Sequence, residues 1–365
     1  MIREMENPYQ KLALILDEIP NGFPPSRSGV ELKLLEKLFT PDEAYLASTM
    51  SLKHQSVKMI AENCGLDEMK VKPLLITMVK KGLIDLRKED GIGLTFGLIP
   101  FVVGFYERQN AKIDKEFAEL FEKYYKEAFY KPMTIDPSVH RIIPIEKTIP
   151  VNFDVMPYEK ASTYLDNAKS WGVVNCICRT QKKLIGQGCD HPLENCLVFS
   201  SRPGAFDKMN DIRAITHEQA LEILSEADRA GLVHSTSNTR DEVNYICNCC
   251  ICSCGVLRSI VEYGSRNSIA RSDFYASVNE TLCSGCEVCV DRCQFNAISI
   301  NDGISIVNVL NCYGCGLCVT TCAEEAISLK LKTPEELTPP PATEKEWRQK
   351  REAARQKTDP VHPGI

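Results

Sequence analysis

Several features are scarce in this 365-residue chain, and each scarcity excludes something. No apolar run is long enough to span a bilayer; the longest, Gly93 to Tyr106, is short and contains Pro100. The charged opening Met1-Ile2-Arg3-Glu4-Met5-Glu6 is followed by no apolar leader, so a cytoplasmic chain is expected, with no membrane insertion. There is no basic excess: the net charge is −6, which disfavours a dedicated nucleic-acid binder. No Gly-rich dinucleotide fingerprint follows an expected strand, and no Ser/His/Asp set can be placed. Cysteine itself is nearly absent from the first half, where Cys64 alone precedes Cys176. The remainder is ordinary globular composition, 44% hydrophobic and 25% charged, at a length that allows two or three domains.

The early scarcity of cysteine contrasts with its density later in the chain. Of 18 cysteines, 17 lie between Cys176 and Cys322. Cytoplasmic thiols stay reduced, so this density points to metal or redox chemistry rather than to a disulfide scaffold.

The pattern along the chain predicts an α+β, multi-domain protein. Over 1–110, helical spacing covers Glu31–Phe39, Pro41–Met50, Gln55–Asn63 and Asp67–Lys81, with Gly65 and Gly82 as stops. Leu83–Arg87 and Ile92–Leu98 then flank Lys88-Glu89-Asp90-Gly91 as a β-hairpin. Residues 111–157 read as an amphipathic helix to about 135, with Phe117, Leu120, Phe121 and Tyr124 inward, and then a Pro-rich linker carrying Pro132, Pro137, Pro144, Pro150 and Pro157. Residues 158–265 form a cysteine-rich metal-binding region, including a helix over Thr216–Gly231 with Leu221, Ile223, Leu224 and Ala227 inward. Residues 273–330 form a further domain, and 331–365 are a charged tail expected to be a solvated helix or disordered.

The most specific motif is a repeated quartet. Cys283-x2-Cys286-x2-Cys289-x3-Cys293 recurs with identical spacing as Cys312-x2-Cys315-x2-Cys318-x3-Cys322. The same offset superposes Gly285 on Gly314 and Ala297-Ile298-Ser299 on Ala326-Ile327-Ser328. Two residues between cysteines let a turn wrap three thiolates around one cubane, and the fourth leaves to reach the other cluster. Cys283, Cys286, Cys289 and Cys322 are thus expected around one 4Fe–4S cluster, and Cys312, Cys315, Cys318 and Cys293 around a second. Four-thiolate zinc sites usually pair C-x2-C units across a longer gap. Ile298–Ile300 and Ile304–Val307, joined by Asn301-Asp302-Gly303, read as a hairpin. The segment holds seven acids against two bases, a charge that would steer it to a basic redox partner or simply keep it soluble.

Nine more cysteines are candidate ligands of a further centre: Cys176, Cys178, Cys189, Cys196, Cys247, Cys249, Cys250, Cys252 and Cys254. In an extended chain Cys176 and Cys178 share a face, as do Cys250, Cys252 and Cys254. A third iron–sulfur cluster, with Cys178, Cys189, Cys196 and one later cysteine as the favoured set, and a zinc ion, for which His191 or His234 offer nitrogen, both remain open. Nine leaves one thiol over for either one cubane or two.

Three resemblances bear on these readings. Residues 273–330 resemble the two-cluster 4Fe–4S bacterial ferredoxins, with Gln294 and Ala323 standing where that family usually has proline. Met59–Ile84, ending in Met78-Val79-Lys80-Lys81-Gly82-Leu83-Ile84, resembles winged-helix domains. Cys176-Ile177-Cys178-Arg179, Gly188-Cys189-Asp190 through Cys196, Gly231-Leu232-Val233-His234 and Cys247-Asn248-Cys249-Cys250 resemble a group of 4Fe–4S binding proteins from anaerobes with no established substrate. The last resemblance implies iron–sulfur binding; since every position of both quartets is cysteine and leaves no iron open for substrate, the expected function is that of an electron carrier, or an electron-transfer subunit, passing single low-potential electrons between redox partner proteins. The rivals are a redox-sensing regulator and an oxidoreductase subunit with a catalytic metal in 158–265. For the regulator, residues 51–88 carry eight Lys/Arg against four acids, yet the reading helix opens on Asp67 and Glu68.

Overall fold

A computed structural model describes residues 7–149, 156–209 and 211–358. They divide into two compact units, one of residues 7–132 with 181–187, the other of 133–180 with 188–358.

The first unit opens with α1 (Pro8–Glu18), α2 (Val30–Leu38) and α3 (Pro41–Ala47). Thr40 and Glu43 close a capping box on α3, as the Thr-Pro-Asp-Glu run requires. A two-residue strand β1 (Gln55–Ser56) leads into α4 (Val57–Cys64) and α5 (Glu68–Lys81). Gly65 and Gly82 end these helices in the left-handed conformation. Strands β2 (Ile84–Glu89) and β3 (Gly93–Leu98) follow, and the sheet order is β1-β3-β2. Cys64 is buried and its thiol donates to Ala61 O, a core role. Then α6 (Lys115–Tyr124) buries Phe117, Phe121 and Tyr124, with Tyr106 stacked on Phe121.

The second unit is built on a seven-stranded sheet. Its elements are β4 (His140–Ile142), α7 (Ala161–Asp166), β5 (Ser170–Asn175), the first turn of α8 (Ile177–Leu184), β6 (Glu194–Ser200), β7 (Arg213–Ile215), α9 (His217–Arg229), β8 (Val233–Ser237), β9 (Tyr245–Cys249), α10 (Gly255–Tyr263) and β10 (Ile269–Ala270). The strand order is β10-β4-β8-β9-β6-β5-β7. Helix α9 packs Ala220, Ile223 and Leu224 against Val173, Leu197 and Ile246 of the sheet. Ala220 takes the inward place expected of Leu221, which is exposed.

After the sheet come β11 (Phe274–Val278), α11 (Val288–Arg292), β12 (Ile298–Asn301), β13 (Ile304–Val307), α12 (Leu317–Thr320) and β14 (Ile327–Leu331). β11 pairs β14 and β12 pairs β13, both antiparallel. Asp302 and Gly303, both at positive φ, make the two-residue turn between β12 and β13.

Two segments depart from their expected form. The stretch 132–157, read as a linker, contributes β4, an inner strand whose His140, Arg141 and Ile142 are buried. Its prolines flank the strand and do not interrupt it; Pro150 lies outside the described residues, and Pro157 opens a single 3-10 turn. The charged tail also holds a packed helix: α13 (Glu344–Thr358) buries Trp347 and Arg351. These two stand one turn apart. Trp347 Nε1 donates to Ser138 O at 2.9 Å, and Arg351 donates to Pro137 O at 2.8 Å. A single aromatic and a single arginine on one helix face dock a helix whose composition reads as solvated.

Candidate metal centres

The quartet region is built on a pseudo-twofold that follows the internal repeat. Ser305 N donates to Cys283 Sγ, and Ala276 N, at the equivalent position one repeat earlier, donates to Cys312 Sγ. Ala297 N donates to Cys293 Sγ at 3.3 Å, and Ala326 N to Cys322 Sγ at 3.3 Å. Gly285 and Gly314 sit at positive φ, and a Cβ on either would collide with backbone, at Gly303 O and Phe274 O respectively. Those two acceptors are again one repeat apart. Each half therefore lends the other a backbone donor and a backbone wall.

The thiols of Cys293, Cys312, Cys315 and Cys318 line one cavity, closed by Ala276, Ala297, Ile298 and Leu329. Burial pushes the Cys315 thiol up to about 12. Four soft donors lining an apolar cavity fit a cubane, which brings its own inorganic sulfide and needs no other ligand. On the other half, Ser305 Oγ lies 3.7 Å from Cys283 Sγ and 3.2 Å from Cys289 Sγ, while Cys286 is exposed. Among the described residues no thiol–thiol hydrogen bond forms inside either quartet.

The nine cysteines of the middle region behave differently. Six of them form a closed ring of neighbouring thiols: Cys176 with Cys178 and Cys196, Cys178 with Cys254, Cys254 with Cys249, Cys249 with Cys247, and Cys247 with Cys196. The sheet order explains the ring. β9, β6 and β5 are adjacent; Cys247 and Cys249 lie on β9, Cys196 on β6, and Cys176 directly after β5. Cys178 stands in the first turn of α8 and Cys254 caps α10, so two helix N-termini bring partial positive charge to the thiols. The neighbouring thiols of Cys178 and Cys196 hold Cys176 well below the ordinary thiol range.

The other three, Cys189, Cys250 and Cys252, gather with His191, all four ligand atoms lying within 4.8 Å of one another. Cys252 and, against burial, the Arg179 guanidinium pull the Cys250 thiol down to about 5. Two expectations are corrected here. Cys189 does not join Cys178 and Cys196 but keeps company with Cys250 and Cys252. Cys250, Cys252 and Cys254 do not act as one face, because they follow β9 in a turn: Cys254 enters the ring and the other two do not. Cys178 likewise meets Cys176 from a helix, not from an extended strand. His234 is buried against Asn248 Oδ1 at 2.6 Å and is no part of either set.

Sequence reasoning misses Arg179 as a functional residue. It is buried, donates to Asn248 O at 3.1 Å, and lies 3.7 Å from Cys250 Sγ. Burial works against its charge, and the thiols of Cys176, Cys196 and Cys250 more than offset this. Its Nε and the Nδ2 of Asn195, next to Cys196, are buried donors with no partner among the described residues. Orphan N–H groups beside thiols fit an anionic guest with sulfide acceptors. The available signal is its position, a permanent cation directly after Cys178. Gln294 is the second omission: it accepts from Ile251 N at 2.7 Å and donates to Gly231 O, tying the Cys293 turn to the Cys250 turn.

Residues 276–299 match the family model of the 4Fe–4S binding domain. The chain carries an iron–sulfur, ferredoxin-like domain. No curated protein and no solved structure gives a significant match. Among the described residues no helix is long and apolar enough to cross a membrane.

Proposed function

We propose that this chain is an electron-transfer protein that moves single low-potential electrons between redox partners through two 4Fe–4S clusters in 273–330 and a third iron–sulfur centre in the six-thiol ring. The observation that carries the reading is the convergence of Cys293, Cys312, Cys315 and Cys318 on one apolar cavity beside a matched 4Fe–4S sequence. Cys283, Cys286, Cys289 and Cys322 are the ligands of the symmetry-related cluster. When bound, such clusters supply reversible one-electron storage with every iron already ligated, which suits transfer and not substrate chemistry.

The chain's own groups tune this storage. The N–H groups of Ala276, Ala297, Ser305 and Ala326 donate to ligand sulfurs and stabilise the reduced, more negative state. Gln294 joins the Cys293 turn to Ile251, which gives the quartet region a short covalent and hydrogen-bonded route to the ring. Glu280, Glu287, Asp291 and Asp302 of this region are exposed, as is Cys286, an acidic surface that suits a basic partner.

A second reading is an iron–sulfur regulator. The β1-β3-β2 sheet beside α5 supports the winged-helix resemblance, and Lys70, Lys72 and Lys80 of α5 are exposed. The acidic start of that helix, Asp67 and Glu68, favours the carrier.

The test is anaerobic iron and sulfide quantitation with EPR of the reduced protein. The carrier reading expects Cys286→Ala to lose about one cluster's iron, roughly four atoms. It also expects no duplex affinity. Full iron retention in that variant would refute the ligand assignment, and salt-steep duplex binding would establish the regulator instead.

A further inference from the structure

The nine middle cysteines do not form one site, and the smaller group has the dimensions of a single ion. Cys189 Sγ and Cys250 Sγ are 3.9 Å apart, and the ligand atoms of Cys189, His191, Cys250 and Cys252 all fall within 4.8 Å of one another. Four ligands on one tetrahedral ion with bonds of about 2.3 Å stand about 3.8 Å apart. A cubane holds its four thiolates on four different irons and so keeps them farther apart. The two quartets of the same chain follow that wider arrangement: among the described residues no three of their sulfurs come within 4.8 Å of one another.

The donor chemistry agrees with the spacing. Three thiolates and one imidazole are a Cys3His set, which selects a borderline-soft divalent ion with no geometric preference of its own. All four ligands come from protein, which is the closed arrangement of a structural site. Three thiolates on a divalent ion leave one net negative charge, and the buried Arg179 guanidinium, 3.7 Å from Cys250 Sγ, supplies the counter-charge. Ser253 Oγ lies 3.6 Å from Cys189 Sγ, within reach as an outer hydrogen-bond donor. Cys252 reaches the surface and gives the ion an access route.

We propose that Cys189, His191, Cys250 and Cys252 bind a single zinc ion in a closed tetrahedral site, separate from the iron–sulfur centres. The ion staples the loop that precedes Cys196 to the turn between Cys249 and Cys254. It thereby fixes two of the segments that deliver ring thiols. The nine thiols then divide into six in the ring and three on zinc.

The full chain, purified anaerobically, is assayed for zinc and iron by mass spectrometry. About one zinc per chain is expected. Cys189→Ser and His191→Ala should each bring it near zero, while Cys286→Ala leaves it unchanged. Cobalt(II) loaded into chelator-treated protein should give the thiolate charge-transfer and tetrahedral d–d bands of a Cys3His site. EPR of the reduced quartet clusters reports folding in each variant. If a variant precipitates, the wild-type metal count and the cobalt spectrum still decide. Zinc-free protein, iron in this site, or zinc unchanged by both ligand variants would overturn the proposal. Iron without zinc would sink this inference and leave the electron-transfer reading standing; zinc without iron would do the reverse.

Discussion

In residues 273–330 the thiols pair with backbone N–H groups, whereas between Cys176 and Cys254 they neighbour one another. The quartets are related by an internal repeat, and their sulfurs accept backbone N–H donors at matching positions. In the middle region the thiols neighbour one another, come from strand ends, helix starts and loops, and share one buried arginine. The difference teaches how each site manages negative charge. A repeat of tight turns supplies many weak backbone dipoles. A site assembled from distant strands has few free N–H groups to offer, because the sheet uses them, and it recruits a full positive charge instead.

The largest expected effects break the symmetric half of this comparison. Gly285→Ala and Gly314→Ala each force a Cβ into backbone belonging to the other half, at a positive φ. Each should cost more than about 4 kcal/mol and strip iron from the quartets. Gly186→Ala, also at positive φ but with nothing near its Cβ, should cost only about 1 kcal/mol. Thermal melts of the three anaerobic proteins check the ranking. Equal losses in all three would mean that the backbone wall is not what the glycines protect.

The same contrast governs what can be read from sequence. The quartets are legible because each ligand set lies within a few residues and its repeat supplies an internal control. The hairpin turn Asp302-Gly303 and the capping box Thr40–Glu43 are legible for the same reason, being local. The ring is not. Its six thiols are spread from Cys176 to Cys254, and only the β9-β6-β5 order, a long-range property of the sheet, sorts them from Cys189, Cys250 and Cys252. Alternation along the chain misleads at Cys254, since the strand ends at Cys249. Composition misleads at the tail, where two side chains of α13 decide its docking.

The next effect breaks the charged half. Arg179→Leu leaves anionic sulfur buried without its cation and removes a donor from Asn248 O. A loss of about 3–5 kcal/mol is expected. Iron and zinc of the middle region should fall while the EPR signal of the quartet clusters persists. A uniform loss of both signals would show that the two regions do not fold their centres independently.

A smaller effect probes the joint between the regions. Gln294→Pro installs the residue usual in bacterial ferredoxins and deletes the side chain that pairs Ile251 N and Gly231 O. About 1–3 kcal/mol should be lost, with the iron of both quartets retained. Rapid-mixing kinetics should then show slower electron exchange between the quartet clusters and the ring. Unchanged exchange would remove Gln294 from the route.

The smallest effect concerns the sheet that carries the ring. Burial depresses the pKa of His140 from the ordinary 6.5 to about 4. Its Nε2 takes part in a hydrogen bond with Tyr245 OH at 3.1 Å, and β4 and β9 both pair with β8. The folded state therefore binds fewer protons here than the unfolded chain whenever the pH lies between these two values. Stability from the neutral ring is full above 6.5 and is lost as the pH falls towards 4. Between about pH 7 and about pH 5.5 the loss amounts to about 1 kcal/mol. His140→Gln removes the titration, so denaturant melts of the variant should change less over this interval than those of the native protein. Because acid also attacks iron–sulfur centres, the difference between the two proteins, not either melt alone, isolates the histidine; identical slopes would mean that His140 does not titrate between its folded and unfolded values.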